Sequence, residues 1–208
     1  MADLQSLRYG LRGSITKWFE RPAVSFLIAL RFTPSVATAL GLGIASIAAY
    51  FVYQGEFFIA GFLVLFGSVF DLLDGGIARA TGRVSKRGAM MDSVFDRVSE
   101  LTVLAGLAMY YTSGSDADQL GVLLAIVAMS GSLMVSYVRA RAEGLGVKGT
   151  AGFLTRPERV VVMVVCLLLG YPMASLWILG VGTPLSAVWR FIDAVSYTHL
   201  TLPTILLV

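Results

Sequence analysis

The sequence predicts an all-α membrane protein, a bundle of six transmembrane helices with an amphipathic surface helix at its N-terminus. Of the 208 residues, 57% are hydrophobic and 14% are charged, against about 45–50% and about 25% in an average soluble domain. The mean hydropathy is +0.80, and apolar runs recur at close to the ~20 residues that a membrane helix needs. This composition excludes a disordered chain and disfavours a soluble enzyme.

Six apolar segments mark the predicted spans. They cover approximately residues 35–52, 57–77, 91–111, 120–142, 157–171 and 174–195. The turn signal Gly170-Tyr171-Pro172 separates the last two spans, and the last span contains the helix breaker Pro184. We expect residues 1–195 to form a single membrane domain.

The distribution of basic residues predicts the orientation of the bundle. Basic side chains precede the first span and occupy the second-to-third and fourth-to-fifth loops; they include Arg8, Arg12, Lys17, Arg21, Arg31, Arg79, Arg83, Lys86, Arg87, Lys148 and Arg156. The alternate loops carry Glu56, Asp116 and Asp118 and no basic residue. By the positive-inside rule, both chain ends and both basic loops face the cytoplasm, with the plasma membrane as the expected location. The net charge of +3 is too small to indicate nucleic-acid binding.

Both ends of the chain differ from the predicted bundle. Residues 1–22 are expected to form the surface helix, because Leu4, Leu7, Leu11 and Ile15 repeat at helical spacing among basic residues. Such a helix lies in the lipid headgroup plane or packs on the protein's own cytoplasmic face. Residues 196–208 form an uncharged apolar tail that resembles a non-native extension, and we assign it no function.

Four aspartates flank the loop between the second and third spans. Asp71 and Asp74 are three residues apart and Asp92 and Asp96 are four apart, so each pair shares one helix face. Carboxylates at membrane depth are costly unless they are paired or bound to metal. Two divalent cations, Mg²⁺ or alternatively Mn²⁺, would bridge such a set and leave positions open for phosphate oxygens. The alternative, pairing only with nearby Arg and Lys, does not explain two acidic pairs in register with glycines.

Glycines lie beside these aspartates. Gly75 and Gly76 follow Asp74, and Gly88 comes four residues before Asp92. Without a Cβ they let a ligand approach the backbone, although helix packing by small residues is the common alternative. Arg79, one helical turn beyond Gly75, is spaced to contact a pyrophosphate in bidentate fashion.

Residues 71–96 follow the pattern D-x2-D-G-x2-A-R-x8-G-x3-D-x3-D. This pattern resembles the signature of the CDP-alcohol phosphotransferase family at every specified position, and the resemblance extends over residues 25–195. It implies a six-helix membrane enzyme, usually a homodimer, with its active site at the cytoplasmic side. Such an enzyme transfers a substituted phosphate from a CDP-linked lipid, here CDP-diacylglycerol, to an alcohol and releases CMP.

The resemblance also implies roles for single residues. Asp71, Asp74 and Asp92 would hold one metal ion, and Asp71, Asp92 and Asp96 would hold the second. Asp96 would also act as the general base toward the acceptor hydroxyl. The residues that would contact the CDP lipid are Ser35, Thr38, Gly75, Arg79, Ser85 and Gly88.

A second basic stretch, residues 136–160, combines with Arg190 of the last span to suggest an anionic acceptor. The alternative is positive-inside anchoring together with salt bridges to Glu143, Glu158 and Asp193. The arginines outnumber these acids, and guanidinium groups suit bidentate recognition of phosphate. A phosphate monoester is therefore the simplest acceptor.

The same stretch resembles the SY-x-(K/R)-A-R-A-E…G…RPER pattern of the bacterial phosphatidylinositol phosphate synthases, a subfamily whose basic residues bind inositol 1-phosphate. The resemblance implies an acceptor pocket formed by Arg139, Arg141, Arg156, Arg159 and Arg190. Glycerol 3-phosphate, as in phosphatidylglycerophosphate synthase, is the close alternative acceptor.

Two other function classes fit the sequence less well. A divalent-cation transporter would place acidic residues deep in several spans, whereas these cluster at one membrane edge. A non-catalytic scaffold would not need the complete carboxylate set. No Ser-His or Cys-His arrangement for nucleophilic catalysis is visible, and the only histidine, His199, lies in the tail.

Overall fold

A computed structural model describes residues 21–30, 32–112, 117–147 and 152–201, with the side chains of 21 and 197–201 left out. All regular secondary structure in these ranges is helical, which confirms the all-α prediction. The helices are α1 (Arg21–Ala29), α2 (Pro34–Tyr53), α3 (Phe57–Ala80), α4 (Lys86–Tyr110), α5 (Gln119–Gly144), α6 (Arg156–Leu168) and α7 (Pro172–Thr201). Most of the predicted surface helix, Lys148, the His199 side chain and the end of the tail lie outside the described residues.

Four of these helices are long and apolar enough to cross a membrane: α2, α3, α5 and residues Pro172–Ser196 of α7. Helix α4 has 25 residues, which is long enough, but its sequence includes six charged side chains. Helix α6 has 13 residues, about 20 Å of helix, and a bilayer core is about 30 Å thick. Length and composition therefore support four of the six predicted spans.

Three helices differ from the predicted segments. Helix α1 was not predicted as a separate element. Helix α4 begins five residues before position 91, because the Ser85 hydroxyl accepts a hydrogen bond from the Gly88 N–H at 3.0 Å and caps the first turn. Helix α7 extends beyond the predicted residues 174–195 at both ends. It is continuous through Pro184, where the preceding Thr183 hydroxyl donates to the Leu179 carbonyl at 2.7 Å. Proline removes one backbone donor, and neighbouring groups make this tolerable in membrane helices.

The chain divides into two compact units. The first comprises Met1–Ala45 and Leu65–Ser99, and so contains α1 and parts of α2, α3 and α4. Its apolar core is formed by Val24, Leu27, Ala37, Leu73 and Ile77. This core joins α1 to α2 and α3 and fixes the helix face that carries Asp74.

The second unit comprises Ser46–Val64 and Glu100–Val208. Helices α5 and α7 pack closely, because Gly131 has no side chain and the space is filled by Thr183 and Pro184. The outer face of α7 exposes large apolar side chains such as Leu185, Trp189 and Ile192. Exposed apolar residues on so apolar a helix are typical of a surface that contacts lipid.

Candidate active site

Helix α3 carries Asp71 and Asp74, and α4 carries Asp92 and Asp96. The Asp74 side chain is 4% exposed, and its Oδ2 accepts a hydrogen bond from the Thr38 hydroxyl at 2.6 Å. Asp71 and Asp92 both interact electrostatically with Asp74. Within the first unit, Asp71 and Asp92 therefore lie within electrostatic range of the buried Asp74 carboxylate.

The Asp71 carboxylate rests on the backbone of α2. A Cβ added at Gly41 would overlap Asp71 Oδ1, closer than van der Waals contact allows. On the same helices, a Cβ at Gly67 would lie 3.4 Å from the Gly41 carbonyl oxygen. Glycine at position 41 is thus the residue that lets the Asp71 side chain occupy its place.

A cavity of about 180 Å³ opens beside these carboxylates. All six residues predicted to contact the CDP lipid line it. The complete lining is Pro34, Ser35, Thr38, Asp74, Gly75, Ala78, Arg79, Arg83, Val84, Ser85, Gly88, Ala89, Met91 and Asp92. The cavity thus combines hydroxyl groups, two carboxylates and two guanidinium groups in one unit.

The Arg79 side chain folds back along α3 over Gly75. A Cβ at Gly75 would lie 3.2 Å from Arg79 Nη1. The guanidinium group therefore sits over a stretch of helix without a side chain, at the cavity wall. This arrangement suits a planar cation that binds phosphate oxygens.

The donor set fits a hard divalent cation, because carboxylate oxygens are the ligands that Mg²⁺ and Mn²⁺ prefer. Mutual repulsion between Asp74 and its two acidic neighbours is what a bound cation would offset. Within the described ranges, no three acidic, histidine or cysteine side chains already converge as a metal site. The carboxylates that would hold such an ion are those of Asp71, Asp74, Asp92 and Asp96 on α3 and α4.

Arg159, predicted as an acceptor contact, is engaged inside the second unit. Its side chain is 2% exposed; Nε and Nη2 donate to the two carboxylate oxygens of Glu100 at 2.6 and 2.8 Å. Its Nη1 donates to the Leu154 carbonyl at 3.0 Å. Three of its five N–H groups are therefore used within the protein.

Arg190, 4% exposed, lies in the same unit. Its Nε has no hydrogen-bond partner among the described residues, and it interacts electrostatically with Arg139 and Arg159 as well as with two glutamates. A Cβ at Gly152 would lie 2.6 Å from Arg190 Nη2 and 2.8 Å from Nε. Arg190 thus combines a buried positive charge with an unused donor.

The remaining predicted acceptor residues are more open. Arg139 is exposed and its Nε donates to Glu143 Oε1 at 2.8 Å, one turn further along α5. Arg141 is exposed and Arg156 is half-buried at the first turn of α6. The roles proposed for these residues from the sequence stay predictions.

Several residues at these sites were not predicted. Arg83, Val84 and Met91 line the cavity, and their nearness to the aspartate pattern could have indicated them. The Glu100–Arg159 pair joins residues 59 positions apart. An acid such as Glu100 inside an apolar span is a signal that a partner exists, but sequence spacing does not name the partner.

The sequence profile of a family described as CDP-alcohol phosphatidyltransferase matches residues 31–189. The phosphatidylinositol phosphate synthase of Mycobacteroides abscessus is 32% identical over 177 residues, covering 81% of this chain and 80% of that protein. Two crystal structures of the Mycobacterium tuberculosis phosphatidylinositol phosphate synthase are also similar. The structure with CDP-DAG bound has 31% identity and a TM-score of 0.71 over 87% of this chain and 92% of that one. The structure with manganese and citrate has 31% identity and a TM-score of 0.69 over 86% of each.

Proposed function

Because the chain belongs to the CDP-alcohol phosphatidyltransferase family and is a membrane transferase of phospholipid synthesis, we propose that it transfers a phosphatidyl group from CDP-diacylglycerol to inositol 1-phosphate. The products are a phosphatidylinositol phosphate and CMP. The observation that carries this proposal is the single cavity lined by all six predicted CDP contacts together with Asp74 and Asp92.

We infer that the fold contains six membrane helices, with α4 and α6 completing the set of four apolar spans. The charges of α4 are clustered towards its N-terminal half, which fits a helix that carries a polar site at the membrane edge. By the distribution of basic residues, that edge is the cytoplasmic side of the plasma membrane. We further propose that residues 1–195 form one domain and that the protein works as a homodimer.

The metal centre proposed here uses two Mg²⁺ ions, with Mn²⁺ as a substitute. The similar mycobacterial crystal structure is in complex with manganese, which supports a divalent site in this chain. Asp71, Asp74 and Asp92 would hold one ion, and Asp71, Asp92 and Asp96 the other. When bound, such ions neutralise the diphosphate and stabilise the departing CMP.

The protein groups around the cavity have separate tasks in this proposal. Arg79 binds phosphate oxygens of the diphosphate, and the Thr38 hydroxyl holds Asp74 in place. Asp96 accepts the proton of the attacking hydroxyl. The acceptor oxygen forms a bond to the phosphorus that bears the diacylglycerol, and the bond from that phosphorus to CMP breaks. CMP leaves with the electron pair, and no covalent enzyme intermediate is needed.

A phosphorylated acceptor is supported by the charge of the second unit. Arg190 is buried with an Nε that is unused among the described residues, and two further guanidinium groups and two glutamates lie within electrostatic range of it, so the positive charges outnumber the negative ones. Burying such a charge is costly unless an anion compensates it. We therefore propose Arg139, Arg141, Arg156, Arg159 and Arg190 as the residues that recognise the acceptor phosphate. Glycerol 3-phosphate carries the same group and is the second candidate.

The proposal is tested by CMP release from purified protein with CDP-diacylglycerol and Mg²⁺. Inositol 1-phosphate, free inositol, glycerol 3-phosphate and serine are offered separately. Release with inositol 1-phosphate, and not with free inositol, is the expected result. Release only with glycerol 3-phosphate would refute the acceptor and leave the catalytic site standing. No release with any acceptor, from folded protein, would refute the enzyme and favour a transporter or a scaffold.

A further inference from the structure

The segment from residue 152 to 155, just before α6, is held in place from three directions. Arg159 Nη1 donates to the Leu154 carbonyl at 3.0 Å, and the Ser186 hydroxyl donates to the Phe153 carbonyl. At the end of the segment, the Thr155 N–H donates to Glu158 Oε2 at 2.5 Å. The backbone of a short loop is thereby fixed by side chains of α6 and α7.

The conformation of this segment needs that support. Leu154 has a φ of 54°, in the left-handed region, where the backbone of a residue with a side chain of this size is strained. Its side chain fits directly against Gly182 of α7, where a Cβ would overlap it. The strained residue is therefore locked by packing on one side and by the Arg159 hydrogen bond on the other.

Arg159 is itself immobilised by Glu100. The two side chains are 2% and 4% exposed and form a bidentate pair. An ion pair this deeply buried adds little to the stability of the fold. It does fix the positions of both side chains, because separating them would leave an uncompensated buried charge. The Nη1 group of Arg159 is consequently presented to Leu154 from a rigid position.

The segment lies against Arg190. Gly152 touches the guanidinium group so closely that a Cβ there would come within 2.6 Å of Nη2. Arg190 is buried and its Nε is unused among the described residues. The orientation of that donor is thus determined by where the backbone at position 152 sits.

We propose that Arg159 is a positioning residue: with Glu100 it holds the 152–155 segment against Arg190, and Gly152 leaves the room that orients the Arg190 guanidinium toward the acceptor phosphate. This inference rests on the proposed function, because it assigns Arg190 to the acceptor. It adds Glu100, Gly152 and Ser186 to the residues that determine acceptor affinity.

The test compares Gly152→Ala with Gly144→Ala in the CMP-release assay. Position 144 ends α5 and a Cβ there meets nothing within 4 Å. For Gly152→Ala we expect the KM for inositol 1-phosphate to rise roughly 10-fold, as when a hydrogen bond to a charged group is lost. The KM for CDP-diacylglycerol and kcat should stay within about twofold. Gly144→Ala should match the wild type in all three.

For Glu100→Gln, a positioning role and a purely electrostatic role predict opposite changes in the affinity for the acceptor. This substitution removes the negative charge that pairs with Arg159, which lies within electrostatic range of Arg190, so a purely electrostatic role predicts tighter binding of the anionic acceptor. Positioning predicts weaker binding, because Arg159 loses its fixed partner. Losing one partner of a buried pair can unfold the protein, so the elution of the Glu100→Gln variant in detergent and its thermal unfolding are measured first. If this variant does not fold, the acceptor KM of Gly152→Ala alone decides between the two roles.

The possible results distinguish a failure of this inference from a failure of the proposed function. Wild-type turnover with a phosphorylated acceptor, together with an unchanged acceptor KM in Gly152→Ala, would overturn this inference and leave the proposed function intact. A loss confined to kcat would overturn it too. Absence of wild-type turnover with every phosphorylated acceptor would instead refute the proposed function on which it rests.

Discussion

The Asp71 carboxylate lies directly on the α2 backbone at Gly41, where any side chain would displace it. Asp71 belongs to the proposed ligand set of both metal ions, so its position depends on a residue that has no chemistry of its own. The neighbouring Gly43, two residues further along the same helix, faces open space within 4 Å. The two glycines therefore offer a matched comparison.

Gly41→Ala should weaken metal binding. The new methyl group occupies the place of Asp71 Oδ1, and disturbing the support of a metal ligand typically costs 10- to 100-fold in affinity or activity. We expect the Mg²⁺ concentration for half-maximal activity to rise roughly 10-fold, measured by titration of CMP release. Gly43→Ala should leave it unchanged. Equal behaviour of the two variants would show that the Gly41 contact does not matter.

The hydroxyl of Thr38 should contribute to the same site through Asp74, which it meets at 2.6 Å. Thr38→Val keeps the shape but removes a hydrogen bond to a buried carboxylate, a loss of about 1.5–3 kcal/mol. Activity at limiting Mg²⁺ should fall roughly 10-fold. Thr38→Ser retains the hydroxyl and should recover most of the activity; a serine variant as impaired as the valine variant would contradict the hydrogen-bond argument.

Asp96→Asn tests the general base. An amide cannot accept the hydroxyl proton, so kcat should fall roughly 10²- to 10⁴-fold. Binding of CDP-diacylglycerol, measured as the increase in unfolding temperature that the lipid causes, should persist. Asp118→Asn is the control, because Asp118 caps α5 by accepting from the Leu120 N–H and asparagine caps equally well. Near-normal kcat in Asp96→Asn would exclude Asp96 as the base.

Arg190→Gln tests recognition of the acceptor phosphate. Losing charge-assisted hydrogen bonds should raise the KM for inositol 1-phosphate roughly 10- to 100-fold, with the KM for CDP-diacylglycerol unaffected. Arg87→Gln removes an exposed positive charge at the start of α4 and should change neither constant. A parallel increase for both substrates in Arg190→Gln would indicate damage to the fold instead of loss of a contact.

Much of the helical architecture follows from local sequence. The run over residues 120–142 predicts α5 (Gln119–Gly144) to within two residues at each end, because a long apolar segment leaves few alternatives. Gly170, predicted to mark a turn, has a φ of 73°. Helix α1 was missed because its nine residues form a short apolar run between basic positions, which local periodicity does not separate from its flanks.

Some contacts of the candidate site follow from local sequence and others do not. Residues at set spacing on one helical hairpin, such as Gly75, Arg79 and Ser85, meet at one cavity as predicted, because helix geometry carries the information. The contact of Gly41 with Asp71 and the pairing of Glu100 with Arg159 depend on how separate helices pack. Sequence spacing contains no measure of that packing, so it does not predict these two relationships.

In the proposed reaction, the acceptor hydroxyl attacks the lipid-bearing phosphorus and CMP leaves. Its most direct test uses inositol 1-phosphate labelled with ¹⁸O at its ring hydroxyls, with CDP-diacylglycerol and Mg²⁺, and analyses both products by mass spectrometry. We expect one CMP without ¹⁸O for each phosphatidylinositol phosphate formed, and in that lipid the label bridges phosphorus and inositol. Label recovered in CMP, or CMP released without formation of the labelled lipid, would contradict it.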